Sequence, residues 1–149
     1  MLSDRNFINI AKEIASASKC VSKKVGAVIV RDGRILSTGY NGTPAGYINC
    51  CEQWDHKHTT SHHEWSKMHE IHAEMNAIIW AARKGISIEN ATIYVTLEPC
   101  SECSKNIIAS GIRRIVYLNA YEHTDSEVTS KFISDNGVVI DKIGDESGS

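Results

Sequence analysis

The chain is expected to fold as an α/β domain, a three-layer arrangement in which a central mixed sheet of five strands is flanked by helices. Three observations predict it. The elements run helix, hairpin, long loop, then strand and helix in alternation, an order that favours a sheet covered by helices. The strand segments are short and rich in β-branched residues, whereas the helical segments repeat apolar residues every three or four positions. A length of 149 residues with 42% hydrophobic content suits one compact domain with its own core.

Asp4 to Ser18 reads as an amphipathic helix, with Phe7, Ile10, Ala11, Ile14 and Ala15 at helical spacing. Val25 to Val30 is an apolar run, and Arg31-Asp32-Gly33-Arg34 turns it back into Ile35 to Tyr40, which predicts a hairpin. Asn41 to Lys67 has no periodicity, yet it holds Cys50, Cys51, His56, His58, His62 and His63. A loop this long in a small domain is usually functional, and its cysteines and histidines suggest that a metal orders residues 41–69. A second helix is expected from Glu70 to Arg83, closed by Gly85, with Ala73, Ala77, Ala81 and Ala82 giving it a small-residue face. Then come a strand over Ala91 to Leu97, a helix over Ser101 to Ser110 stopped by Gly111, and a strand over Ile115 to Leu118. A helix over Ser126 to Asp135 and a short strand over Val138 to Ile140 complete the set, with a frayed end from Asp145. Without a repeat or a linker, residues 1–149 read as one domain.

A net charge of -2 gives no broad basic surface, which argues against a long nucleic acid as partner. A local phosphate pocket is still allowed. Lys23, Lys24, Arg113 and Arg114 are the basic residues nearest the expected site edges, and spacing does not choose among them. Asp4, Arg5, Asn6 and Lys12 interrupt the N-terminal apolar residues, so no signal peptide is expected. No stretch approaches the roughly 18 apolar residues of a membrane span, and a soluble intracellular protein is the expectation. Five cysteines is an odd number, which disfavours a disulfide framework.

The chemistry is concentrated in His72-Ala73-Glu74 and Pro99-Cys100-Ser101-Glu102-Cys103. His72, Cys100 and Cys103 form a three-ligand N/S set for a catalytic zinc, leaving one position for water. Cys100 and Cys103 open a helix, where backbone N–H groups favour the thiolates that bind metal. Pro99 suits a helix start, since its missing N–H costs little there. Glu74 is then the proton shuttle rather than a fourth ligand, because a fourth protein ligand would displace the water to be activated. A redox dithiol would explain the two cysteines but not the upstream His-x-Glu.

This H-x-E and P-C-x-x-C pair is the signature of zinc-dependent base deaminases. With Val25-Gly-Ala-Val-Ile-Val30, Gly39-Tyr-Asn-Gly-Thr-Pro44, Ile48-Asn-Cys-Cys51 and His62-His-Glu-Trp65, the chain resembles the phage-type deoxycytidylate (dCMP) deaminases of the cytidine deaminase-like superfamily. The resemblance spans about Ser3 to Ile140. It implies the cytidine deaminase-like fold and conversion of dCMP to dUMP. It also implies substrate contacts from Asn41 to the sugar, from the Ala73 backbone to the pyrimidine and from Tyr121 in the pocket wall. Cys20, Cys50, His62 and Glu70 match positions that hold a second, structural zinc in such enzymes; His58, His63, Cys51 and His69 are the substitutes to weigh. Further implications are a homo-hexamer, dCTP as activator, dTTP as inhibitor, magnesium accompanying the allosteric nucleotide, and Arg83 at a subunit contact linked to regulation. The cytoplasm is the implied compartment, that of the host if the chain is phage-encoded. The loop from Asn49 to His62 is short beside the phage relatives, which bears on whether allosteric control is kept. Alternatives are a deaminase that takes both dCMP and dCTP, an RNA-directed adenosine deaminase, and a non-catalytic zinc module, the last disfavoured by Glu74.

Overall fold

The computed structural model describes residues 1–20, 23–44, 46–47, 64–65, 68–121 and 126–144. The elements are α1 (Asp4–Ala15), β1 (Gly26–Arg31), β2 (Arg34–Tyr40), α2 (Ala73–Lys84), β3 (Thr92–Leu97), α3 (Ser101–Ala109), β4 (Arg114–Asn119), α4 (Ser126–Asp135) and β5 (Val139–Lys142). All nine were expected, with ends shifted by a few residues. Helix α1 ends at Ala15 rather than Ser18, and α2 begins at Ala73 rather than Glu70. Ile71 is drawn out of the helix because its N–H and C=O pair with Gly42, at 2.8 and 3.0 Å.

The sheet is mixed, in the order β2-β1-β3-β4-β5. β1 lies antiparallel to β2 and β3, whereas β3, β4 and β5 run parallel. Parallel neighbours need crossover helices, and α3 and α4 supply them. Alternation along β3 divides the core: Ile93 and Val95 join Ala77, Cys103, Ile107 and Ile133 on one face, while Tyr94 joins Phe7, Ile8 and Ala11 of α1 on the other. Hence α2, α3 and α4 cover one face and α1 the opposite one, giving the three layers.

Glycine sets how closely the helices approach. A Cβ on Gly39 of β2 would collide with the backbone of Ala73 and Ala77 in α2, and one on Gly26 of β1 would collide with Ala11 and Ala15 of α1. The alanine face of α2 completes the close packing, with Ala73, Ala77 and Ala81 all buried.

A polar cluster pins α1 to the start of β4. Asp4 accepts hydrogen bonds from both terminal nitrogens of Arg114, at 3.0 and 2.8 Å, and from the Tyr94 hydroxyl at 2.7 Å. The Arg114 guanidinium holds the Asp4 carboxyl below its ordinary value of 3.8. Burial, then the hydrogen bond to Asp4, pushes Tyr94 up to about 12. A carboxyl depressed by folding contributes stability above its unfolded pKa, and that contribution is lost as pH falls through the folded value. The two side chains are a third or more exposed, so solvent keeps the contribution to about 1 kcal/mol or less. Asp4→Asn should therefore lower stability by about that amount at pH 7. In urea titrations the gap from wild type should start to narrow below about pH 4 and go on narrowing as pH falls through the folded value; a gap that did not narrow at all with acidification would show that packing rather than charge is at stake.

Candidate metal centre and active site

His72 is the N-cap of α2 and Cys100 the N-cap of α3. Cys103 lies in the first turn of α3, and its backbone N–H approaches the Cys100 sulfur at 3.5 Å. The topology brings the two helix starts together: α2 packs on β2 and β1, and α3 leaves the C-terminal end of β3 beside it. Ligand sites in open α/β sheets favour this end of parallel strands.

The three ligand atoms lie within 4.8 Å of one another. His72 Nδ1 stands 3.1 Å from Cys103 Sγ and 3.7 Å from Cys100 Sγ. Tetrahedral zinc bonds of about 2.3 Å to sulfur and 2.0 Å to nitrogen place ligand atoms about 3.6 Å apart, so the donor set fits zinc. Two helix N-termini face the same point, which stabilises the anionic thiolates such a metal requires. Cys100 is pulled down to about 3, mainly by the Cys103 thiol and then by His72. Cys103 is pushed up, by donating to Cys100 and by burial, and His72 is raised by its pairing with Cys100. Any proton on the thiols or on the ligating His72 nitrogen must leave when a metal takes all three atoms.

Glu74 sits in the first turn of α2 and is 4% exposed. Burial pushes its carboxyl up to about 7. A carboxyl near neutrality can both take and give a proton at physiological pH.

The residues implied for a second metal are only half in view. Cys20 Sγ lies 3.8 Å from Glu70 Oε1, which brings the end of the first helical segment to the residues before His72. His69 instead stacks against Tyr47 and Trp65, with ring centroids 5.3 and 5.0 Å apart, and its Nδ1 faces the Trp65 carbonyl at 2.8 Å. Between those neighbours it is Glu70 that faces Cys20. Cys50, Cys51, His56, His58, His62 and His63 lie outside the described residues, as does most of the metal-ordered loop expected over 41–69.

Asn41 has a role that spacing did not reveal. Its Oδ1 accepts the Val25 N–H at 2.8 Å and its Nδ2 donates to the Lys23 carbonyl at 2.9 Å, so the side chain buttresses the lysine segment. One Nδ2 hydrogen and one Oδ1 lone pair remain for another partner. Ala73, fully buried, is the first residue of α2, where a helix leaves its N–H without an internal acceptor. Tyr121 donates its N–H to Glu98 Oε1 at 3.1 Å, and the Lys23 ammonium sits 4.6 Å above its ring. Arg83 lies on the far end of α2, 5.9 Å from the exposed Trp80 ring.

Arg114, weighed for phosphate binding, is at the wrong end of the sheet. It opens β4 and is held by Asp4 and Asp141. Arg113 precedes it, tied through its backbone to Ala91 and Val139. Two residues that the sequence did not single out face the useful end: Lys12, from the last turn of α1, and the buried Glu98.

A mixed five-stranded sheet with a His/Cys/Cys set and a buried carboxyl at two helix N-termini defines a zinc-dependent base deaminase. Residues 1–119 match the cytidine and deoxycytidylate deaminase zinc-binding region. The chain is 45% identical over 148 residues to the deoxycytidylate deaminase of Enterobacteria phage T4, covering 77% of each. It is 42% identical over 120 residues to that of Mycobacterium phage D29, covering 76% of this chain and 92% of the relative. The crystal structure of the dCMP deaminase of cyanophage S-TIM5 in complex with dCMP and dUMP superposes with a TM-score of 0.77 at 33% identity, over 93% of this chain and 95% of that one. This chain belongs to the cytidine and deoxycytidylate deaminase family, in its phage-type dCMP deaminase branch.

Glu74 costs the metal-free fold stability at neutral pH. A folded pKa above the unfolded one means that stability falls as pH rises from about 4.5 to about 7 and stays low beyond. In metal-stripped protein, Glu74→Gln should raise the unfolding free energy at pH 8 by a few kcal/mol (about 3 at most) and change it little at pH 4. An equal or lower stability at pH 8 would show that the carboxylate is better solvated than its burial implies.

Proposed function

We infer that this protein hydrolyses dCMP to dUMP and ammonia. The observation that carries this is the buried carboxyl of Glu74 beside the His72–Cys100–Cys103 set, in a chain whose phage relatives are deoxycytidylate deaminases. Zinc held by the three ligands supplies a Lewis acid that makes hydroxide available at neutral pH. Glu74 takes a proton from the attacking water and delivers it to N3 of the cytosine ring as the oxygen bonds to C4. It then carries the remaining hydroxyl proton to the 4-amino nitrogen. The C4–N bond breaks with its electron pair on nitrogen, ammonia leaves, and the C4 carbonyl of uracil remains. Burial lets one carboxyl perform both transfers, since its raised pKa makes it a competent acid as well as a base. The Ala73 N–H and the remaining Asn41 hydrogen-bonding capacity are offered to the base and the sugar, with Tyr121 at the wall.

The Cys20–Glu70 approach supports a second, structural zinc completed by Cys50 and His62. A clip of this kind would offset the entropy of ordering the loop between them. Ile79 and Trp80 stay exposed next to Arg83 on α2, which supports that face as the subunit contact of a homo-hexamer. Activation by dCTP with magnesium, and inhibition by dTTP, complete the proposal. Among the described residues no helix is long and apolar enough to cross a membrane, and the cytoplasm is the compartment proposed for the reaction.

Zinc-loaded protein should release ammonia from dCMP, and Glu74→Gln should lose at least about 1000-fold in turnover while keeping its catalytic zinc. An ammonia assay over dCMP, dCTP, CMP, deoxycytidine and an adenosine-containing RNA checks both points. Release from RNA alone, or full turnover by the Glu74→Gln protein, would refute the assignment.

A further inference from the structure

A cavity of about 350 Å³ lies on the α1 side of the sheet, lined by Lys12, Lys23, Lys24, Thr96, Leu97 and Asn119 among others. Among the described residues no carboxylate lines it. The three lysines are exposed, and among the described residues none of them appears in an ion pair. Three ammonium groups on one concave wall, with no counter-charge among the described residues, suit an anion. The position is also informative. Leu97 runs directly into Glu98, Pro99 and Cys100, and Asn119 into Ala120 and Tyr121, so the cavity lies at the C-terminal ends of β3 and β4, the first of which leads into the ligand Cys100.

Two side chains outside the metal set fix this wall. Asn41 ties down Lys23 and Val25 from one side, through hydrogen bonds of 2.9 and 2.8 Å. From the other side Glu98, 7% exposed, accepts the Tyr121 N–H at 3.1 Å. The two held segments meet where the Lys23 ammonium lies 4.6 Å over the Tyr121 ring. A buried carboxylate spent on a loop N–H positions that loop, because leaving either partner unpaired is costly.

We propose that this cavity recognises the substrate phosphate, with Lys23 as its specificity-determining residue and Asn41 and Glu98 as positioning residues for the Lys23–Tyr121 rim. The proposal rests on the dCMP reading above and names the residues that separate a nucleotide from a nucleoside. A phosphate dianion placed there meets up to three lysines, whereas a nucleoside gains nothing from them. Arg113 and Arg114 take no part, being at the opposite end of β4.

The test compares kcat/KM for dCMP and deoxycytidine, and calorimetric binding of dUMP and deoxyuridine, in zinc-loaded protein. Lys23→Ala should lower the dCMP-over-deoxycytidine preference roughly tenfold or more, mainly through KM, and weaken dUMP relative to deoxyuridine by a similar factor. Glu98→Ala should lower the preference as well and Glu98→Gln restore it, since an amide oxygen can accept the same N–H. Lys131→Ala, on the remote α4, is the control that should leave it unchanged. An unchanged preference and unchanged relative dUMP binding in Lys23→Ala would overturn the proposal while leaving the dCMP reaction standing. Absence of turnover on both substrates in wild type would instead remove the dCMP reading, and the dUMP-to-deoxyuridine comparison would still decide the anion site.

Discussion

The convergence of two helix N-termini at one end of the sheet is the constraint on which the rest of the structure depends. Helix α2 can start there only because Gly39 has no side chain to collide with Ala73 and Ala77. Helix α3 starts there because β3 ends at Leu97 and Pro99 leads straight into the Cys100 cap. The Gly42–Ile71 backbone pair delays α2 until His72 is its cap rather than an interior residue. An imidazole and two thiols then meet in a field that favours negative charge. None of these groups needs a long loop to reach the others, so the geometry is held by the core.

The same convergence sets what the site costs and what it can do. Glu74 is carried inward by the helix that supplies His72, and its near-complete burial raises its pKa towards neutrality. In the proton-transfer role proposed for it, an acid of that kind would trade native stability for function, a trade common at active sites. The thiol pair behaves in a complementary way: Cys100 gives up its proton readily while Cys103 holds on to its own. A dication would resolve that imbalance by taking both sulfurs.

Much of this was legible in the sequence because it rests on local pattern. The alternation of β3, the alanine face of α2 and the punctuation by Gly85 and Gly111 fix the elements, and the paired motifs fix the metal set. What stayed hidden depends on contacts distant along the chain. The start of α2 moved because Ile71 found a strand-like partner in Gly42, a bond that no helical periodicity reports. Asn41 looked like a ligand contact in a glycine-flanked turn, yet its amide spans Lys23 and Val25. Arg113 and Arg114 were equal to Lys23 and Lys24 as basic residues until the parallel pairing of β3 and β4 put them at the far end of the sheet. Glu98 carried no signal beyond standing next to Pro99, and Lys12 looked like any solvated lysine near a helix end.

The metal set with its detached carboxyl is tested most directly by the anomalous-scattering map of a crystal of the zinc-loaded protein, collected across the zinc edge. The expected result is a peak bonded to Nδ1 of His72 and the sulfurs of Cys100 and Cys103, with the Glu74 carboxylate close by but outside bonding distance. A peak ligated by Glu74, or a Cys100–Cys103 disulfide with no metal beside it, would contradict this arrangement.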